Sequence, residues 1–524
     1  MSGALAMSRT HRALDQEMIN RVARYVTSSG KTQQIVAPFT GEPFAELPIS
    51  SADDVRAAHA RARAAQESWA ALPLRERVRP FLRLHDTILE RRTEILDVVQ
   101  WETGKARSHA FEEVLDVAGC TLYYVREARG LLRPKRRRGV FPLATGVIEL
   151  RHPKGVVAVI SPWNYPLTLG ATDVIPALIA GNAVVHKPDT QTALSTLWLI
   201  DLLVSLGMPR DVWQVVAGDP GEVGDPLIEG AGYVAFTGST RAGRKIAAAA
   251  ASRLIGASLE LGGKNPMIVL PDADLGRAAR GVLRASFANA GQLCLSMERI
   301  YVHESVCEPF TRKLIEQVEG MKLGVGLDWS VDMGSLTSFR QLEQVTAHVE
   351  DAVAKGATVV TGGRARPDLG PMFYEPTVLT GVTEEMAVCR EETFGPVVAL
   401  HPFKSEHEIV ERANDTVYGL NASVWTRDVA KGREIASRIK AGTVNVNEGY
   451  AAAYGSYDAP MGGMKASGLG RRHGAEGLLR YTEVQNIASQ ASWLGFEAPA
   501  GMTHETHAAT LAFLLKTMRR LRVK

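Results

Sequence analysis

The chain of 524 residues exceeds the roughly 250–300 residues over which a single hydrophobic core grows, so two or three domains are expected. With 45% hydrophobic and 22% charged residues it is composed like a globular protein, which excludes a disordered or fibrous one. A formal charge of +3 is too small for a role carried by overall attraction to nucleic acid or to a membrane surface.

The first 12 residues turn polar before a signal-peptide core could form, and no run of about 18 apolar residues suggests a spanning helix. Cys120, Cys294, Cys307 and Cys389 are scattered, with no Cys-x-x-Cys pair and no Cys/His cluster at zinc spacing. A disulfide scaffold and a metal centre are therefore not expected, and a reduced, cytoplasmic setting is.

From Ser51 the pattern is helical: Ser51 and Asp54 can cap, and Val55, Ala58, Ala62, Ala65 and Trp69 recur on one face. A second helix is predicted through Phe81 to Val99. Pro134 to Gly139 (PKRRRG) reads as a solvated hairpin. From Gly155 the period changes. The apolar run Val156 to Ile160 reads as a strand buried on both faces of a parallel sheet. A helix ending near Gly181, a strand at Ala183 to His186, a helix from Leu197 to Leu206 and strands at Val212 to Val216 and Tyr233 to Phe236 follow. This βαβ alternation predicts a doubly wound α/β sheet, whose ligands lie beyond the carboxyl ends of the strands. A second α/β region follows Gly262-Gly263, with strands at Met267 to Leu270, Thr358 to Thr361, Val397 to Leu400 and Thr443 to Val446 and a helix from Leu275 to Asn289.

Six segments at such positions can carry chemistry. Pro162-Trp163-Asn164-Tyr165-Pro166 holds Asn164 between two prolines, where its amide can donate to a developing oxyanion. Lys187-Pro188-Asp189-Thr190 offers a cation for ribose or phosphate. Phe236-Thr237-Gly238-Ser239-Thr240-Arg241-Ala242-Gly243 is a strand-to-helix turn whose glycines and helix amino end suit a pyrophosphate, although it is neither a Walker A loop nor G-x-G-x-x-G. Glu260, in Glu260-Leu261-Gly262-Gly263-Lys264, and Cys294, in Gly291-Gln292-Leu293-Cys294, could form a base and nucleophile. Spacing alone does not bring them together. Glu391-Glu392-Thr393-Phe394-Gly395-Pro396 supplies Glu392 for ribose hydroxyls and Phe394 for ring packing. Taken singly, each segment also fits an ordinary turn or a buried thiol.

Together and in this order, PWNYP, KPDT, FTGST, ELGGK, GQLC and EETFGP resemble the aldehyde dehydrogenase superfamily from about Ala52 to Thr482. The resemblance implies Cys294 as the nucleophile on the aldehyde carbon, and Asn164 with the Cys294 backbone N–H as oxyanion donors. Hydride would pass to the nicotinamide, leaving a thioester that water activated by Glu260 hydrolyses. It places the cofactor against Trp163, Lys187, Pro188, Asp189, Thr190, Gly238, Ser239, Gly243, Leu261, Glu392 and Phe394. The implied architecture is a nicotinamide-binding domain (1–135 and 152–261), a catalytic domain (262–465), an oligomerisation element (136–151 and 480–495) and a C-terminal tail (496–524), assembled as a homodimer or homotetramer.

NAD-preferring members resemble one another in a Glu three residues after the Lys. Thr190 stands there, so NADP is favoured, with NAD possible. Segments such as LIGASLELGGKNPMIV and GLNASVW resemble NADP-dependent succinate-semialdehyde dehydrogenases of actinobacterial type, implying oxidation of succinate semialdehyde to succinate. Thr172 and Ala288 stand where such enzymes carry carboxylate-binding arginines, and Arg472 replaces a family Glu. A medium-chain, aromatic or amino aldehyde is therefore a rival substrate, and a non-catalytic nicotinamide-binding scaffold a rival of another class. Glu260 argues against a CoA-acylating enzyme. Leu511 to Leu521 reads as an apolar-then-basic helix that packs on the body or a neighbouring subunit rather than a membrane.

Overall fold

The computed structural model describes residues 14–141, 144–491 and 494–522. The reading of residues 1–12 lies outside them.

The helix Ala52–Ala71 starts where Ser51 and Asp54 close a reciprocal capping box, and it buries Val55, Ala58, Ala62 and Trp69. The helix predicted from Phe81 to Val99 is two helices, Leu74–Glu90 and Arg92–Thr103. They meet at Arg91, whose ψ of 17° leaves the helical region. Phe81, Leu84, Ile88, Ile95, Val98 and Val99 keep one period across the break, so periodicity does not reveal it. A helix the sequence analysis did not assign, Arg107–Leu132, then crosses the core and carries Glu112, Glu113 and Asp116 toward the site.

The predicted α/β alternation forms a six-stranded sheet ordered Gly468–Leu469, Gly256–Glu260, Tyr233–Thr237, Val156–Ile160, Ala183–Lys187 and Trp213–Val215. All neighbours are parallel except the two-residue edge strand. From Val156–Ile160 the chain steps outward to one side and then returns to build the other. The switch point, where doubly wound sheets bind ligands, therefore lies between Val156–Ile160 and Tyr233–Thr237. The loops opening there carry Asn164 and Gly238-Ser239.

A seven-stranded sheet runs Thr358–Thr361, Thr377–Thr380, Val397–Phe403, Met297–His303, Asn265–Val269, Asn421–Trp425 and Thr443–Val446, with only the first strand antiparallel. The chain passes from one sheet to the other through Leu261 to Lys264, so Glu260 ends a strand of the first sheet just before the strand Asn265–Val269 of the second.

The basic segment at 135–138 is the outer strand of a three-stranded antiparallel sheet with Thr145–Pro153 and Thr482–Gln490. The C-terminal segment forms the helix His504–Arg520, tied back where His507 Nε2 meets the Gly495 carbonyl at 3.0 Å. No helix among the described residues is long and apolar enough to cross a membrane.

Candidate active site

Asn164 is held from several directions. Its Nδ2 donates to the Gln292 carbonyl at 2.9 Å. Its own carbonyl accepts from Lys105 Nζ at 2.6 Å and from Asn289 Nδ2 at 2.9 Å. Lys105 is paired at 2.6 Å with Glu113, both side chains wholly buried. Glu113 also accepts the Leu167 and Thr168 N–H groups at 2.9 and 3.1 Å, holding the start of the helix that follows Pro166. The prolines set the loop conformation, and this buried ion pair fixes its position.

Cys294 reaches the site through a backbone reversal. The helix expected to run to Asn289 ends at Phe287, because Asn289 and Ala290 adopt left-handed φ of 51° and 53°. Gly291 follows at φ 71°, and a Cβ there would lie 2.1 Å from the Gly395 carbonyl oxygen. Glycine is therefore required both by its dihedral and by the close approach of the Phe394 loop. Cys294 emerges half-buried, its carbonyl held by Asn265 Nδ2 at 2.7 Å. Burial, reinforced by the charges of Glu392 and Glu260, pushes its thiol up to about 12.

Glu260 is 6% exposed, and neither of its carboxylate oxygens has a hydrogen-bond partner among the described residues. Burial pushes it up to about 7, opposed chiefly by the Arg472 guanidinium. Desolvation thus tunes a carboxylate into the range where a general base works near neutrality. Cys294, Glu260 and Asn164 line one cavity of about 230 Å³, together with Leu169, Leu293 and Tyr450. The structure brings together the three residues that spacing could not.

The remaining groups surround the crevice at the switch point. Lys187 is 6% exposed, and among the described residues its ammonium makes only a 3.4 Å contact to the Pro188 carbonyl, which leaves a buried cation available to an anion. The Thr190 hydroxyl accepts the Gly218 N–H at 3.0 Å and keeps its own proton for donation. Asp189 caps its own turn by accepting the Gln191 N–H at 3.0 Å. Ser239 caps the 13-residue helix Thr240–Ser252. A Cβ at Gly243 would fall 2.5 Å from Leu261 Cδ2, so this glycine lets helix and Leu261 pack closely. Glu392 accepts the Gly263 N–H at 2.9 Å, and burial pushes it up to about 8. Phe394 meets Trp163 edge to face at 5.5 Å, joining the first and last of the six segments. A free buried cation, a capped helix amino end and an acid facing the crevice fit a nicotinamide dinucleotide.

Several residues that shape the site carried no sequence signal. Lys105 and Glu113 are one pair. Glu298 is another: it pairs with Lys264 and accepts the Thr393 and Phe394 N–H groups at 2.9 and 3.0 Å, seating the Phe394 loop. Arg472, noted only as a departure from the family pattern, lines the cavity beside Glu260. Thr172 is buried and donates to the Thr168 carbonyl at 2.9 Å, and Ala288 is also buried.

A doubly wound dinucleotide-type domain facing a cysteine, a tuned carboxylate and an amide donor defines an enzyme that oxidises a carbonyl substrate with a nicotinamide cofactor. The model of the aldehyde dehydrogenase family matches residues 25–487, and the chain belongs to that family. It is an NAD(P)-dependent aldehyde dehydrogenase. It is 51% identical over 491 residues to a Mycolicibacterium smegmatis protein named "Putative succinate-semialdehyde dehydrogenase (NADP+)", covering 94% of this chain and 95% of that one. It is 36% identical to the mitochondrial succinate-semialdehyde dehydrogenase of Oryza sativa subsp. japonica, over 87% of this chain and 86% of that one. Among solved structures, betaine aldehyde dehydrogenase of Staphylococcus aureus in complex with NAD+ superposes with a TM-score of 0.87 at 30% identity, covering 95% of this chain and 100% of the other.

Proposed function

We propose that the protein oxidises succinate semialdehyde to succinate with NADP. The carrying observation is that Cys294, Asn164 and Glu260, with both Glu260 oxygens unpaired, face one cavity. The Cys294 sulfur bonds to the aldehyde carbon while its thiol proton leaves to water. The carbonyl oxygen becomes an alkoxide, which takes hydrogen bonds from Asn164 Nδ2 and the Cys294 backbone N–H. When bound, the nicotinamide supplies the acceptor for the hydride that this alkoxide expels. Glu260 then removes a proton from water, whose oxygen attacks the thioester. The carbon–sulfur bond breaks and the free acid departs.

Two observations support NADP. No carboxylate occupies position 190, and Lys187 with the Thr190 hydroxyl offers charge and a donor to a ribose 2′-phosphate. The names of the M. smegmatis and rice relatives support the substrate. The apolar wall of Leu115, Leu169, Leu293 and Leu295, with Glu112 and Asp116 nearby, supports a second reading: an amino or aromatic aldehyde. The sheet bearing exposed Ile148, Val484 and Ile487 is proposed as the contact joining subunits into a dimer or tetramer.

Reduced nicotinamide formed from succinate semialdehyde by purified protein tests this reading. Turnover that prefers NADP and vanishes in Cys294→Ala is expected. Turnover of other aldehydes alone would remove the substrate, and turnover that survives Cys294→Ala would remove Cys294 as the nucleophile.

A further inference from the structure

Two guanidiniums line the cavity in front of Cys294, and their surroundings differ. Arg472 is buried and engaged, with Nη2 on Asp173 at 3.0 Å and on Thr237 at 2.8 Å. It shares Asp173 with Arg480, whose Nη2 donates to the other carboxylate oxygen. Arg284 approaches from the helix Leu275–Phe287 with its side chain 59% exposed. The nearest carboxylate to it, Glu112, lies 3.8 Å away, too far for a hydrogen bond. Glu112 is in turn occupied by the Tyr450 hydroxyl at 2.9 Å. Arg284 also meets the Tyr450 hydroxyl, but its half-exposed guanidinium keeps solvent-accessible donors for a ligand at this cavity, whereas the unpartnered Nε of Arg472 is sealed from solvent.

A carboxylate entering an otherwise apolar pocket loses hydration that only a matching charge with hydrogen bonds restores. A guanidinium supplies this in bidentate form, and a half-exposed one does so without needing a buried partner charge of its own. We propose that Arg284 receives the carboxylate of the substrate, and so selects a short aldehyde bearing a terminal acid. Arg284 stands in the last turn of the helix Leu275–Phe287, and its long side chain reaches the cavity wall from there. Leu293 and Leu295 then face the intervening methylene groups. This assignment rests on the proposed substrate.

The test compares succinate semialdehyde with butanal, a four-carbon aldehyde without the acid, in wild type, Arg284→Ala and Arg284→Lys. The expected result is that Arg284→Ala lowers kcat/KM for succinate semialdehyde relative to butanal by about tenfold or more, mainly through KM, with Arg284→Lys recovering part of the ratio. Added salt should raise the wild-type KM for succinate semialdehyde but not for butanal. A ratio unchanged in Arg284→Ala, or both substrates declining together, would overturn the role of Arg284 while the substrate stands. A wild type that oxidises butanal and not succinate semialdehyde would overturn the substrate itself, and the arginine's role with it.

Discussion

Arg472 and Asp173 are locked together behind Glu260, the Nη2 of one 3.0 Å from Oδ2 of the other with both side chains nearly fully buried. Asp173 also takes Arg480, so two guanidiniums share one carboxylate and a net positive field remains at Glu260. That field opposes the desolvation that raises Glu260 to about 7. Replacing Arg472 by Met leaves burial and the Asp173 charge less opposed, so the Glu260 pKa must rise. The acid limb of the deacylation rate is expected to move up by about one pH unit or more in Arg472→Met and to stay near its wild-type position in Arg472→Lys. Pre-steady-state measurement of thioester hydrolysis against pH checks it. Coincident limbs in wild type and Arg472→Met would refute the coupling.

Glu260 works as a base only when ionised, so wild-type deacylation should climb as pH rises through about 7 and level off above it. In Glu260→Gln the steady-state rate should fall by about 10²–10⁴-fold while a first equivalent of cofactor is still reduced, because acylation needs Cys294 and Asn164 but not an activated water. A stopped-flow burst with a trapped acyl-enzyme, seen as a mass increase on Cys294, is the expected signature. Loss of the burst together with turnover would mean that Glu260 is needed to deprotonate the thiol.

Lys105 and Glu113 make a separate prediction about the loop that holds Asn164. Lys105→Met strands a buried carboxylate and should cost about 3–5 kcal/mol of stability. Combining it with Glu113→Leu should restore much of that stability, because a buried pair replaced by apolar groups is often neutral. Catalysis should not return, since the Asn164 carbonyl has still lost its 2.6 Å donor. Denaturation midpoints and kcat for the three variants test the separation, and full recovery of kcat in the double variant would contradict it.

Much of the fold was legible because buried parallel strands such as Val156–Ile160 and Ala183–Lys187 appear as continuous apolar runs closed by motif residues. The juxtaposition of Glu260 and Cys294 was not, since it depends on the left-handed turn at Asn289 and Ala290, which Asn tolerates but which Ala gives no sign of. Lys105, Glu113 and Arg472 were hidden for a different reason. A charged side chain in sequence reads as surface, and only the packing of Arg107–Leu132 against the helices Pro166–Ile179 and Gly474–Leu479 places Lys105, Glu113 and Arg472 inside. The break at Arg91 escaped because the apolar period continues through it, while the Arg91 guanidinium reaches Glu94 at 2.6 Å across the bend.

Cofactor preference is expected to reverse on substitution of Thr190. Its hydroxyl now accepts the Gly218 N–H, and Lys187 stands near with its ammonium held by nothing stronger than a 3.4 Å contact. A carboxylate at 190 would meet a 2′-phosphate with like charge in a partly desolvated crevice, yet could accept hydrogen bonds from the two free hydroxyls of a ribose. Thr190→Glu should therefore lower kcat/KM for NADP by at least about tenfold while that for NAD is kept or raised, the change falling in KM. Initial rates at varied cofactor with saturating aldehyde measure this directly. Because Thr190 also anchors Gly218, a loss shared equally by both cofactors would show that the substitution has disturbed the turn rather than the phosphate site, and Thr190→Gln, uncharged and of similar length, separates the two. If Thr190→Gln and Thr190→Glu discriminate alike between NADP and NAD, charge at this position is not what selects the cofactor.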